Sequence, residues 1–261
     1  MSEPEQQANI IVEKNDHILL LKINRPKAKN AFNKAASEEL SAALDDFESD
    51  TNLRVAVITG SDSVFSSGAD LKAIMKGELA QTESRGGFGI MAKPPKKPII
   101  AAIEGPALAG GFELALSCDL IVASEESVFG VPEVKRGLIA VGGACFRLPS
   151  RLPYHLAMEM ILTGANQTAK KMYDLGLVNQ ITPKGNALNE ALELAEQLCQ
   201  NGPLAMQASK EIAFHSSHEN WTDKEAWEAQ MKYAGPTFKS EDLTEGLLAF
   251  AEKRKPVWKG K

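Results

Sequence analysis

The sequence predicts an α/β fold, and three observations lead there. Two short continuous apolar runs, Val55–Thr59 (VAVIT) and Pro98–Ile103 (PIIAAI), have the length and composition of strands buried on both faces. Each is followed by a glycine-containing loop and then by an apolar-periodic stretch: LKAIM after Gly68-Ala69-Asp70, and FELALSCDLIVAS after EGPALAGG. This order of strand, glycine loop and helix recurs as a short internal repeat, the pattern of a layered α/β protein. Beyond about residue 196 the pattern changes to charged amphipathic helices, an appended helical region rather than more sheet.

Taken in order, Ile10–Glu13 and Ile18–Ile23 flank Asn15-Asp16 and read as a β-hairpin. Asn24-Arg25-Pro26 ends it, because proline and its predecessor resist continuation. From Asn33, apolar Ala36, Leu40, Ala43, Leu44 and Phe47 recur on one helical face. Gly77–Pro98, rich in Gly, Lys and Pro, reads as a mobile flap or as a plain surface connection. After Leu148 three helical stretches follow: LPYHLAMEMILTG, QTAKKMYDLGLV and NALNEALELAEQLCQ. Asn201-Gly202-Pro203 breaks the chain before LAMQASKEIAFHSS and the amphipathic stretch from Thr222 to Phe250.

A length of 261 residues suits one large domain or one and a fraction. The division expected is a core over 1–195 and a helical region over 196–261. A hydrophobic fraction of 44% and a charged fraction of 24% are those of a globular chain, not a disordered one. A net charge of −5 argues against a dedicated nucleic-acid binder, whose footprint is basic. Cys118, Cys145 and Cys199 are odd in number and form no CxxC pair, so they read as free thiols of a reducing compartment. The N-terminal MSEPEQQAN lacks the charged and apolar regions of a secretory signal. Apolar runs such as Ile99–Ile103 fall far short of the roughly 18 residues that span a bilayer. The expected setting is therefore cytoplasmic, with no membrane partner.

The chain has no phosphate loop, no GxGxxG after a strand, no GxSxG elbow and no HExxH. His215 and His218 read as surface residues, so no metal is expected; the Glu38-Glu39 and Asp45-Asp46 pairs read as solvated helix positions. Two other acids stand out. Glu113 lies in Phe-Glu-Leu-Ala-Leu and Glu133 in Val-Phe-Gly-Val-Pro-Glu-Val. A carboxylate in an apolar setting is costly unless paired or tuned, and burial raises its pKa toward the range useful for proton transfer. The alternative is that each faces water at the edge of an element. Gly68-Ala69 and Gly110-Gly111 each precede a helix-like stretch, where unpaired N–H groups face outward. Converging, two such donors form an oxyanion hole; otherwise these are tight strand-to-helix turns that need small residues.

Trp221, Trp227 and Trp258, all the tryptophans of the chain, lie in the helical tail with Phe238 and Phe250. Aromatics concentrated on a charged helical segment suit an interface; the alternative is a lid over the chain's own core.

NRPKAKNAF, FSSGADLK, PALAGGFELALSCD, FGVPEVKRGL and the closing GLLAFAEKRKPVWKGK, in this order, resemble the enoyl-CoA hydratase/isomerase (crotonase) superfamily and its hydratase branch. The resemblance runs from about Ile11 to Lys261. It implies a crotonase-like spiral of ββα repeats, with the helical tail assembling a homotrimer or a homohexamer built as a dimer of trimers. It implies an acyl-CoA thioester as the partner, with coenzyme A part of the substrate and no separate cofactor. The N–H groups of Ala69 and Gly110 match the oxyanion hole, and Glu113 and Glu133 match the two acids of the hydratase branch. Lys27, Ala28, Ala69, Asp70, Leu71 and Lys72 match positions that hold coenzyme A and the thioester. Phe250 and Lys253 match C-terminal residues that complete a coenzyme A site, in some members a neighbour's. Lys27, Lys29 and Lys253 are the cations expected to gather the polyanionic coenzyme.

The activity implied is syn addition of water to a trans-2-enoyl-CoA, giving a 3-hydroxyacyl-CoA, as in fatty-acid β-oxidation. GPALAGG and the C-terminal segment also resemble the carnitinyl-CoA dehydratase branch, which uses the same two acids. An enoyl-CoA isomerase typically lacks the first acid, so Glu113 weighs against it. A non-catalytic coenzyme A- or RNA-binding paralogue is a further alternative, opposed by both glutamates and the acidic charge. Val131 and Val141 depart from the usual polar and small residues, and are expected to narrow or dry the acyl pocket.

Overall fold

Apolar runs that cannot face water on either side need helices on both faces, and the chain meets that need with a central sheet. The structure, a computed structural model, describes residues 8–61 and 63–261. The N-terminal stretch read against a secretory signal lies, through residue 7, outside the described residues.

β1 (Ile10–Asn15) and β2 (Ile18–Ile23) pair antiparallel around Asp16, whose φ of 49° closes the turn. α1 (Lys34–Ser49) starts at Asn33, whose side chain accepts the Ala36 N–H. Then come β3 (Val55–Thr59), α2 (Leu71–Ile74), and the short β4 (Gln81–Thr82) and β5 (Gly86–Gly87). β6 (Ile99–Ile103), β7 (Pro106–Leu108) and α3 (Gly110–Ala115) follow as one unit. β8 (Leu120–Ser124) and β9 (Val128–Gly130) repeat the two-strand step, leading to a 3-10 turn over Pro132–Arg136. The remainder of the core is α4 (Ala144–Arg151), α5 (Tyr154–Thr163), β10 (Gln167–Thr168), α6 (Ala169–Asp174), β11 (Gln180–Thr182) and α7 (Ala187–Cys199). α8 (Pro203–Glu219), α9 (Asp223–Thr237) and α10 (Glu241–Glu252) close the chain.

The six-stranded sheet has the order β1-β2-β3-β6-β8-β11, parallel from β2 onward. Alternation along each strand sorts its residues to two faces. Ile99, Ala101 and Ile103 join the main core, while Ile100 and Ala102 join Val55, Val57 and Val122 beneath Ala191 and Ala195 of α7. A second layer, β10-β9-β7, is extended by a bridge between Ser66 and Ala107. Each repeat thus crosses from the large sheet to this layer before turning into a helix.

FELALSCDLIVAS is not one helix. It leaves helical geometry after Ala115, because the Asp119 N–H bonds to the Ile99 carbonyl and Asp119 Oδ2 accepts the Ile99 N–H. These bonds recruit Leu120–Ser124, with the β-branched Ile121 and Val122, to the sheet. The region after Leu148 is likewise not purely helical, since it contributes β10 and β11. Residue 195 falls inside α7, and the break between α7 and α8 lies at Gln200–Gly202.

Gly77–Pro98 runs over the surface through Ser84 but is anchored in the core from Arg85 onward. Buried Arg85 bonds Asp45, Glu48 and the Lys93 carbonyl, and Phe88, Ile90 and Met91 pack into the core. Phe88 stacks on Phe32 at 4.3 Å between centroids.

The helical tail attaches at the N-terminal ends of the parallel strands. Lys210 on α8 donates to Asp119 and to the Lys97 carbonyl, while Arg54 donates to the carbonyls of Cys199 and Trp258. The opposite, C-terminal ends carry loop 60–70 and the segments 104–109 and 125–131 that hold β7 and β9, where α/β sheets place their ligands.

Candidate active site

The two glycine loops converge. A Cβ built on Gly68 would lie 3.1 Å from the Gly110 nitrogen and 2.9 Å from Ala109 Cβ. Gly68 has φ +101°, a conformation that favours glycine. Gly110 tolerates no side chain either, since its Cβ would meet the Phe88 ring at 2.5 Å. The Phe32 N–H donates to Gly68 and the Phe32 carbonyl accepts from Asp70, so the Ala69 amide between them is left over. Gly110 opens α3, and the Ala109 carbonyl takes the Phe112 and Glu113 amides instead. Among the described residues no acceptor serves the Ala69 or Gly110 N–H. Two unpaired donors on adjacent loops are suited to hold an oxyanion.

Glu113 projects from the first turn of α3 and is 4% exposed. Burial pushes its pKa up, opposed by backbone N–H groups of Ala144, Gly142 and Gly143 and by the Arg147 charge. The Ala144 N–H donates to Glu113 Oε1 at 3.0 Å. Gly142 must be glycine-sized here, because its Cβ would lie 2.6 Å from Glu113 Oε2.

Glu133 sits in the 3-10 turn that follows β9. Its Oε2 is buried without a hydrogen-bond partner among the described residues. Burial first, and then the nearby Glu113 charge, pushes its pKa up to about 7. The two shifts share a direction, but three backbone N–H groups and a cation favour the ionised form of Glu113, while Glu133 has only its own backbone N–H on that side.

The other expected site residues divide into two groups. Lys27 and Ala28 lie in a 3-10 turn whose neighbour Lys29 accepts the Ser67 N–H through its carbonyl. Asp70 pairs with Arg25 at 3.1 Å and accepts the Lys72 N–H, so Lys27, Ala28, Asp70, Leu71 and Lys72 border Ala69 on one rim. Phe250, 87% exposed, and Lys253 instead end α10. Trp258 packs against Gly246 of α10, and its carbonyl is held by Arg54, at the end of β3 opposite loop 60–70. One protomer thus keeps them off the rim.

Val131 is buried in the core, whereas Val141, next to the Gly142 turn, is 85% exposed. Sequence reasoning missed the Gly142–Ala144 turn as a carboxylate cradle, together with Met91 and Arg147 behind it. The only signal available was Gly142-Gly143 preceding a helix, the same signal that marked the other two loops. Among the described residues no group of three or more His, Cys, Asp or Glu is placed to hold a metal. No described helix is long and apolar enough to cross a membrane.

A profile of the enoyl-CoA hydratase/isomerase family matches residues 13–261. The chain is 40% identical over 256 residues to carnitinyl-CoA dehydratase of Escherichia coli K12, covering 95% of this chain and 97% of that one. It is 36% identical over 263 residues to enoyl-CoA hydratase EchA19 of Mycobacterium tuberculosis, covering 98% of each. A crystal structure of an enoyl-CoA hydratase from M. tuberculosis H37Rv superposes with a TM-score of 0.94 at 50% identity, over 98% of this chain and all of that one. The crotonase-like α/β architecture expected from the sequence is the observed one.

Proposed function

The chain belongs to the enoyl-CoA hydratase/isomerase family, and from that premise we propose that it hydrates a trans-2-enoyl-CoA to a 3-hydroxyacyl-CoA. The observation that carries this reading is the placement of two differently tuned carboxyl groups beside two unpaired N–H donors. The Ala69 and Gly110 amides hold the thioester oxygen and the negative charge that grows on it. Glu113, ionised, takes a proton from water as its oxygen bonds to Cβ. Glu133, protonated, gives a proton to Cα, so the product gains one water and the two acids exchange protonation states. Proton return between them through solvent resets the site.

Coenzyme A enters as part of the substrate, along the rim of Lys27, Ala28, Asp70, Leu71 and Lys72. Phe250 and Lys253 serve a second copy of the chain. Exposed Trp227, Phe238 and Phe250, with an open cleft of about 850 Å³ between α8 and the core, support a trimer or hexamer. Light scattering of the full chain at three or six times the protomer mass is the expected result.

The test of activity is loss of enoyl-thioester absorbance with crotonyl-CoA. Glu133→Gln is expected to lower kcat by about 10²–10⁴, and an undiminished rate would sink the assignment. The similarity to carnitinyl-CoA dehydratase supports one other reading, in which the same two acids act on a carnitinyl thioester. A panel of enoyl-CoAs of different chain length plus crotonobetainyl-CoA separates the two.

A further inference from the structure

Arg147, on α4, is 4% exposed, and the groups it hydrogen-bonds are all neutral. Its Nη1 donates to Ser117 Oγ at 2.8 Å and to the Gly142 carbonyl at 3.4 Å, and its Nη2 to the Met91 carbonyl at 2.7 Å. Among the described residues its Nε has no partner. A buried cation without an ion-pair partner is costly to maintain and needs a reason; burial lowers its pKa to about 10.

The three acceptors lie on three walls around Glu113. The Ser117 hydroxyl donates in turn to the Glu113 carbonyl at 2.8 Å, tying Arg147 to the helical turn that carries the acid. Met91 supplies the sulfur that backs Gly142. Gly142 begins the N–H turn itself. In a planar trans peptide the C=O and N–H point in opposite directions. Drawing the Gly142 carbonyl toward Arg147 therefore turns the Gly143 N–H the other way, toward the Glu113 carboxylate, on which it acts.

We propose that Arg147 is a positioning residue for the base, fixing the Gly142–Ala144 turn around Glu113 and supplying the positive charge that balances its carboxylate. The inference rests on the reading of Glu113 as base. It explains why the guanidinium has no ion-pair partner of its own: its counter-charge is the catalytic carboxylate, met through the peptide turn rather than in direct contact.

The test compares Arg147→Gln and Arg147→Lys in the full-length protein, with crotonyl-CoA, over about pH 5 to 9. For the Gln variant, kcat is expected to fall about 10- to 100-fold, as for loss of a group that orients a ligand, with KM little changed. The acid limb of its kcat profile should move to higher pH, because an unbalanced Glu113 holds its proton longer. Lys keeps the charge but cannot span three acceptors, so its limb should stay near the wild-type position while kcat remains reduced. A folded Gln variant with wild-type kcat, or with lower kcat and an unmoved acid limb, overturns the inference. If the Gln variant does not fold, the Lys variant decides: lower kcat at unchanged KM supports it, and wild-type kcat overturns it. Absence of hydration by the wild-type protein itself would instead overturn the reading of Glu113, and this inference with it.

Discussion

The surroundings of Glu113 and Glu133 differ more than the shared direction of their pKa shifts suggests. Both acids are lifted first by burial. Around Glu113 the backbone N–H groups of Gly142, Gly143 and Ala144 and the Arg147 charge pull back toward the ionised form. Around Glu133 one oxygen is left without a partner, and the second-strongest upward influence is Glu113 itself. The contrast teaches how one apolar pocket sets two chemically equivalent side chains apart. On the proposed mechanism, the acid with three N–H donors serves as the base, and the acid with fewer serves as the proton donor.

The largest test of this division is Glu113→Gln. Loss of the base is expected to lower kcat for hydration by about 10²–10⁴. Combined with Glu133→Gln, the loss should fall well short of the product of the single effects, because the two acids act as a unit. Multiplicative losses would show that they act independently.

Gly142→Ala strikes the N–H donors while leaving both acids in the chain. The new methyl would sit 2.5 Å from Met91 Sδ and 2.6 Å from Glu113 Oε2, so the carboxylate or the turn must move. A kcat loss of about 10- to 100-fold is expected, near the cost of about one ångström of misplacement. A wild-type rate would mean that the cradle does not set the base.

The pH profile sharpens the comparison further. With Glu133 titrating at about 7, kcat/KM should decline on the alkaline side of neutrality as the acid loses its proton. It should decline again at acid pH as Glu113 is protonated. In Glu133→Gln the residual activity should keep the acid limb and lose the alkaline one.

The smallest effect is on stability. Glu133 has a folded pKa above its ordinary 4.5, so its neutral form contributes stability below that value, and the contribution is lost as pH rises through about 7. Gln cannot ionise and keeps it. Thermal unfolding should therefore show Glu133→Gln more stable than wild type at pH 8, by about 1–3 kcal/mol, and little different at pH 5. Equal Tm values at pH 8 would mean that the orphan oxygen is not strained by ionisation.

Much of this was legible before any coordinates. VAVIT and PIIAAI carried their strand identity in composition, the stretch after Asn33 its helix in the spacing of apolar residues, and Glu113 and Glu133 their unusual chemistry in the apolar residues beside them. The errors share one cause. FELALSCDLIVAS has helical periodicity throughout, but the Asp119–Ile99 bonds, 20 residues apart, take its second half into the sheet. Gly77–Pro98 has the composition of a loop, yet Arg85 reaches 40 residues back to Asp45 and packs it down.

By itself the sequence determined that VAVIT and PIIAAI are strands and that the stretch after Asn33 is a helix, where the chain needs glycine, and which two acids sit in apolar surroundings. Those are local properties, set by periodicity, steric allowance and the neighbours in the chain. Only the tertiary structure decided that Gly68 meets Gly110, that Gly142–Ala144 turns its amides on Glu113 and not on Glu133, and that Arg147 stands behind that turn. It also put Phe250 and Lys253 at the far end of the sheet. Such outcomes depend on bonds between residues 30 or more positions apart, as for Ala144 and Glu113. A buried proton's affinity is fixed by the dipoles and charges that such bonds bring around it.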